Sequence, residues 1–238
     1  MKFYFTGCSH TYGDDLADPT NTAWPSVLAQ ECKVDFLNDS MSGNTNDRIV
    51  YQAIKNINQF DKFYIAWTYT TRFTRYHAEN NYAVNFNPQL KHSVYGNDPN
   101  FVNYGKIHYR TWHNDLYGIK LWLQQIVLLQ RLFESEKKSY VMVNSTGNQL
   151  DRWLSSWQNF NNNVKSLLCF DLMNDEQLYC EHKEIQNLIS MIDTSRFVGW
   201  NKWCLIDECR HYPTGKTGHL LEQGHKATAL HILKHDSN

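Results

Sequence analysis

A serine sits between two glycines in Gly7-Cys8-Ser9-His10-Thr11-Tyr12-Gly13, directly after the aromatic run Lys2-Phe3-Tyr4-Phe5. A strand that breaks into a glycine-flanked turn and then a helix lifts such a hydroxyl above the sheet edge. Backbone N–H groups lie close by and can hold an oxyanion. That is the arrangement of a nucleophile for acyl transfer. The same turn can also cradle a phosphate or simply make a tight connection, and this block does not decide between them. The Cys8 thiol offers a second nucleophile, but adjacent side chains on an extended segment point opposite ways, so Cys8 is expected to be buried.

Two further clusters follow. Asn38-Asp39-Ser40-Met41-Ser42-Gly43-Asn44-Thr45-Asn46 comes just after a second apolar run. A glycine there lets a backbone N–H approach a developing oxyanion, while the Asn amides can add donors or cap the next helix. Gly218-His219-Leu220-Leu221-Glu222-Gln223-Gly224-His225 precedes the last helical segment. A histidine on such a loop can take the proton of a serine hydroxyl, provided its other ring nitrogen is held. The spacing of His211, His219 and His225 matches no zinc pattern, so no metal is expected.

The elements that must position these residues are legible in the apolar pattern. Lys2 to Phe5, Val34 to Leu37, Lys62 to Trp67 and Ser139 to Val143 read as strands. The segments between carry helical spacing, as in Ile49, Ala53, Ile54 and Ile57, and Asp115 to Glu136 reads as the longest helix. Leu150 to Leu168, Glu184 to Ile192 and Gly224 to Lys234 also look helical, and Phe197 to Ile206 carries a candidate last strand. Strands alternating with helices predict a three-layer α/β/α fold, flavodoxin-like, with a parallel sheet of about five strands and ligands at the carboxyl ends of the strands. Residues 70 to 113, rich in Tyr, His and Asn with little periodicity, read as an irregular insertion or substrate-facing lid after strand 3. The whole of residues 1–238 reads as one domain.

Composition narrows the partners. With 23 Lys plus Arg against 24 Asp plus Glu, the formal net charge is −1, so neither nucleic acid nor an anionic membrane is expected as a partner. No apolar run approaches the roughly 20 residues of a membrane span, and no leader with a basic start and apolar middle is seen. The 6 cysteines form no CxxC pair, as free thiols in a reducing compartment would, and a cytoplasmic location is expected.

The order and spacing of the three clusters resemble the SGNH/GDSL hydrolase superfamily, and more narrowly the SGNH-type proteins of tailed phages and marine bacteria. Gly7 to Gly13 is similar to the first block, with Cys8 where Asp is usual. Asn38, Ser40, Ser42, Gly43 and Thr45 follow the second, and His219 with Gly224-His225 follows the last. The resemblance implies Ser9 as nucleophile, His219 as general base, and the Ser9 and Gly43 N–H groups as oxyanion donors, with Asn44 beside them. It implies an esterase that hydrolyses an O-acyl ester, such as a carbohydrate acetyl group, through an acyl-enzyme and without a cofactor. Its substrate would be a small-molecule or carbohydrate ester, and the Tyr, Trp and Asn of 69–113 suit sugar stacking and equally an aromatic core.

Two positions depart from that pattern. The third block usually supplies an Asn after strand 3, whereas here the chain reads Ile65-Ala66-Trp67-Thr68-Tyr69-Thr70-Thr71-Arg72, leaving Thr68 or Arg72 to donate. The family's Asp three residues before the catalytic His is Lys216 here. Among the nearby carboxylates Asp207 is taken as the substitute, because it ends the candidate last strand near the sheet edge. The same departures motivate an alternative, a weak or inactive SGNH fold used for binding, as in a phage structural protein. A further one is an O-acyltransferase, in which an acceptor alcohol replaces water.

Overall fold

A computed structural model describes residues 1–76, 83–86, 99–112, 115–146, 175–200 and 202–236. Four parallel strands form the sheet: β1 (Lys2–Thr6), β2 (Asp35–Asn38), β3 (Lys62–Trp67) and β6 (Ser139–Asn144), in the order β2-β1-β3-β6. That is the flavodoxin-like order. The central strands β1 and β3 are buried on both faces after their first residue, and so is β6 at one edge, whereas the other edge strand β2 is short and half exposed.

Each parallel pairing needs a crossover helix. These are α3 (Trp24–Cys32) from β1 to β2, α4 (Asn46–Lys55) from β2 to β3, and α6 (Asp115–Ser135) between β3 and β6. Alternation along the strands splits the core in two. Tyr4, Phe63 and Ile65 pack with Ile49 and Ala53 of α4, Leu123 and Ile126 of α6, and Ile185 of α7 (Asp175–Ser190). Phe3, Phe5 and Tyr64 pack with Trp24 and Leu28 of α3 and with Ala229 and Ile232 of α8 (Glu222–Asp236). The result is the three-layer α/β/α architecture. Ile54 departs from the expected apolar stripe of α4 and is exposed. No helix among the described residues is long and apolar enough to cross a membrane.

The sheet corrects the expected fifth strand. Phe197 makes a single parallel bridge to Met142, and Val198 N–H donates to the Met142 carbonyl at 2.9 Å. Gly199 then turns away at φ +68, and Leu205–Arg210 forms a 3-10 turn instead of continuing the strand. The expected irregular stretch 70–113 also contains regular structure. A hairpin pairs β4 (Phe73–Tyr76) with β5 (Ala83–Phe86), followed by α5 (Pro99–Ile107) and a π-helical turn over His108–Trp112. Phe73, Val84 and Phe86 give that hairpin its own small core against Tyr109, a pattern too short to stand out among polar aromatic neighbours. The expected helix 150–168 lies outside the described residues.

Glycine at 118 allows α6 to lie against the exit of β3. A Cβ there would meet the Thr70 carbonyl oxygen at 2.7 Å, and backbone cannot swing aside as a side chain can. Gly118→Ala gains about 1 kcal/mol of helix propensity but overpacks a backbone contact, at a cost of about 1–3 kcal/mol. The variant is expected to unfold a few degrees lower by circular dichroism, and an unchanged or raised Tm would show that the contact relaxes freely.

Candidate active site

Because the strands are parallel, β1, β2, β3 and β6 all end at one edge, and the chemically promising residues follow those ends. Gly7 leaves β1 where a Cβ would lie 2.4 Å from Thr11 Oγ1 and 2.9 Å from Ala66 Cβ, so only glycine fits. Cys8, fully buried, has extended backbone, and its carbonyl accepts Thr11 and Tyr12 N–H at 2.9 Å each. Ser9 thus opens the single-turn helix α1 (Ser9–Tyr12), which Gly13 closes at φ +98.

The second cluster is tied to the first by buried hydrogen bonds. Met41 N–H and Asn44 Nδ2 both donate to the Gly7 carbonyl, at 3.2 and 2.9 Å. Asn44 Nδ2 also donates to Gln52 Oε1 at 3.1 Å. The side-chain donors of Asn44 are therefore engaged in joining β1 to α4, which corrects its expected place as a substrate donor. Helix capping falls to Thr45, whose hydroxyl accepts Arg48 N–H. Gly43 adopts φ +70 with open space around its Cα. Among the described residues no acceptor takes the Ser9 or Gly43 N–H, so both point to no internal partner.

At the end of β3, Asn46 holds both backbone polar groups of one residue, Thr68. Its Oδ1 accepts Thr68 N–H at 2.9 Å and its Nδ2 donates to the Thr68 carbonyl at 3.1 Å. Arg72 Nη1 donates to Thr68 Oγ1 at 3.0 Å and to the Asn44 carbonyl at 3.3 Å, with its guanidinium over the Tyr69 ring. Thr68 and Arg72 are thereby held together beside the Gly43 turn.

The third cluster arrives from the far end of the chain. Gly215 N–H donates to the His219 carbonyl at 2.8 Å and Thr214 bridges Leu220, making a tight loop with Gly218 at φ +85. This loop docks on Asp15, just past α1. Asp15 Oδ2 accepts Thr217 N–H at 2.8 Å, Thr217 Oγ1–H at 2.8 Å and His219 N–H at 3.3 Å. Thr217 Oγ1 lies 2.7 Å from His219 Nδ1, and the Asp15 carboxylate is 3.8 Å from that nitrogen. The His219 ring is 4.4 Å from the His10 ring, next to Ser9.

Proton accounting at Thr217 assigns the tautomer. Burial alone would raise the Asp15 pKa, but the hydrogen bonds from Thr217 and His219 and the His219 charge outweigh it and hold the carboxyl below its ordinary value. Asp15 is therefore an acceptor only. The single Thr217 hydroxyl proton goes to Asp15, so Thr217 Oγ1 must accept from His219 Nδ1–H. That leaves the Nε2 lone pair of His219 available as a base.

Asp207 stands elsewhere. Its Oδ2 accepts the Cys204 N–H at 3.0 Å, capping the 3-10 turn, and its other oxygen faces Arg210. The reason is the missing fifth strand: with the chain turned at Gly199, Asp207 serves its own turn. Lys216, at the family's Asp position, is exposed. Asp15, Thr217 and Gln52 carry no sequence expectation. For Asp15 a signal exists, since it follows Ser9 by a few residues on the same loop, but a search for carboxylates near His219 in sequence passes over it. His225 Nδ1 accepts the Trp24 N–H at 3.1 Å, fastening α8 to α3. Among the described residues no three His, Cys, Asp or Glu side chains group as metal ligands.

No family model matches the chain, and no curated protein does. Solved structures align over nearly its whole length at low identity. One is a member of the lipolytic protein G-D-S-L family from Veillonella parvula, at 13% identity and TM-score 0.45, covering 98% of this chain and 97% of that one. Another is a carbohydrate esterase family 2 enzyme with a carbohydrate-binding domain from Corynascus thermopiles, at 10% identity and TM-score 0.48, covering 99% and 65%. A third is LAE5, an alpha/beta hydrolase enzyme from the metagenome of Lake Arreo, at 11% identity and TM-score 0.45, covering 99% and 94%.

Two histidines at the site are kept neutral. Burial first, then the charges of His219, His225 and Arg72, lower His10 from 6.5 to about 3, and burial followed by the His219 charge lowers His225 to about 4. Below pH 6.5 the unfolded chain takes up protons at both while the folded chain does not, so their stability contribution is full above 6.5 and lost as pH falls toward those values. The urea midpoint is expected to fall from pH 7 to pH 4, and less steeply in His10→Gln. An identical slope in that variant would show that His10 is not responsible.

Proposed function

We propose that this protein is a serine hydrolase of the SGNH type, which cleaves an O-acyl ester through an acyl-enzyme on Ser9. The observation that carries this reading is the held Nδ1 of His219, on a loop docked against the Ser9 turn. A general base needs one nitrogen fixed and the other free, and the Asp15–Thr217–His219 chain supplies that without the carboxylate that Lys216 replaces. His219 Nε2 takes the Ser9 hydroxyl proton as Oγ attacks the acyl carbonyl, then returns it to the leaving alcohol oxygen. Water repeats the sequence on the acyl-enzyme, with Nε2 taking its proton, and releases the carboxylic acid.

The oxyanion would be held by the Ser9 and Gly43 N–H groups, with Arg72 and Thr68 at the β3 exit in place of the family's Asn. Asp15 favours the step in which His219 becomes charged. Unit charges about 4 Å apart near a protein surface attract by about 4 kcal/mol, less where solvent screens them. The substrate class proposed is a small-molecule or carbohydrate ester.

The test is a fluorophosphonate probe followed by mass spectrometry, with p-nitrophenyl acetate hydrolysis as the rate assay. The wild type is expected to take one adduct that Ser9→Ala abolishes. Asp15→Asn should lower kcat by about 10²- to 10⁴-fold, as loss of an orienting carboxylate does, and Thr217→Val should lower it by a smaller factor. No adduct on the folded wild type, or one that persists in Ser9→Ala, would overturn the reading and leave the fold as a binding scaffold.

A further inference from the structure

A cavity of about 430 Å³ lies on the far side of Arg72, walled by the start of α4, residues 70–75 and α6. Among the described residues its lining includes three guanidinium groups, Arg48, Arg72 and Arg75, against one carboxylate, Asp47. That carboxylate is already engaged: Oδ1 accepts Gln125 Nε2 at 2.9 Å and Oδ2 accepts Thr74 N–H at 3.3 Å. Among the described residues none of the three arginines makes an ion pair. Arg48 Nε is buried without a hydrogen-bond partner. Arg72 spends Nη1 on Thr68 and Asn44, and Arg75 spends Nη1 on the Thr74 carbonyl while stacking over Phe73.

A partly buried guanidinium with no anion is costly, and buried donors of this kind are normally matched. For the Arg48 Nε the match is absent from the described protein, and an anion would supply it, while Arg75 is exposed at the rim of the same wall. Tyr51 and Tyr117, 54% and 64% exposed, add aromatic faces to the same wall. Such faces suit the apolar side of a sugar ring, and guanidinium forks suit a carboxylate, sulfate or phosphate. The volume is that of a pocket for one compact ligand and falls within the usual range of small-molecule sites, about 300–1,000 Å³. A nucleic-acid strand would instead need an extended basic groove, which a formal net charge of −1 does not favour.

We infer that this cavity is the subsite for an anionic sugar residue of the substrate, one bearing a carboxylate or a sulfate or phosphate ester. The inference deepens the reading of Ser9 as an esterase nucleophile and rests on it for the word substrate. Arg72 supplies the link, because the same side chain lines the cavity and touches the carbonyl of Asn44, next to Gly43. A sugar seated against it would present its acylated neighbour at the strand exits.

Binding is measured by isothermal titration calorimetry on the full chain carrying Ser9→Ala, so that no turnover intervenes. The probes are an oligoglucuronate, a sulfated gluco-oligosaccharide and a neutral gluco-oligosaccharide of equal length. At least one anionic probe is expected to bind ten-fold or more tightly than the neutral one, and which one does identifies the anion. Arg48→Gln and Arg75→Gln should each weaken that binding about ten-fold, with Arg48→Lys falling between, and added salt should weaken it in the parent. Equal affinity for neutral and anionic probes, or tighter binding of a single-stranded oligonucleotide than of either anionic sugar, would overturn the inference. The two readings fail separately. Charge-selective sugar binding in a protein whose Ser9 takes no fluorophosphonate leaves the subsite and removes the hydrolase, whereas an active Ser9 without charge selectivity does the reverse.

Discussion

The Gly7 carbonyl, at the point where β1 stops, fixes the rest of the site. It has no ladder partner beyond the strand end, and it is met instead by the Asn44 amide and the Met41 N–H. The same amide reaches Gln52, which also accepts from the Thr6 hydroxyl and donates to the Asp39 carbonyl. One buried network thus sets the exits of β1 and β2 and the start of α4 in a single frame, to which Asn46 adds the exit of β3. Leaving any one of these buried groups unpaired would cost about 1–3 kcal/mol. The frame is therefore stiff, and the Ser9 turn and the Gly43 turn have little freedom to drift apart.

Onto that frame the histidine loop docks through one carboxylate. Asp15 gathers three donors on a single carboxylate oxygen, while His10 and His225 on either side stay neutral. Adopting φ +70 at a non-glycine residue is an unusual backbone choice, though Asp tolerates it better than most. It turns the carboxylate toward the incoming loop. Gly215 completes the fit, since a Cβ there would sit 2.4 Å from Asp15 Cβ.

Much of this is legible in the amino-acid sequence. Lys2–Thr6, Lys62–Trp67 and Ser139–Asn144 announce themselves because parallel strands buried on both faces read as unbroken apolar runs. The Ser9, Gly43 and His219 turns are visible because glycine and small residues cluster where a strand ends. What the sequence conceals is pairing at a distance. Nothing local tells that Asn44 is consumed by the Gly7 carbonyl, 37 residues away, because that partner is chosen by how the chain folds back. The expected fifth strand fails for a related reason: Phe197-Val198 begins one, and Gly199 ends it after a single bridge.

Asp15 and Thr217 stand 202 residues apart in sequence, and the contact between them has a bearing on the order of assembly. During synthesis the Ser9 turn and all four strands of the parallel sheet emerge before the histidine loop. Docking of that loop closes a ring of 202 residues, the kind of non-local step that forms late. Fastening of α8 to α3 through His225 and Trp24 belongs to the same final event. A nascent chain that has not yet released the loop can therefore hold a formed sheet and the Ser9 turn without His219 beside it.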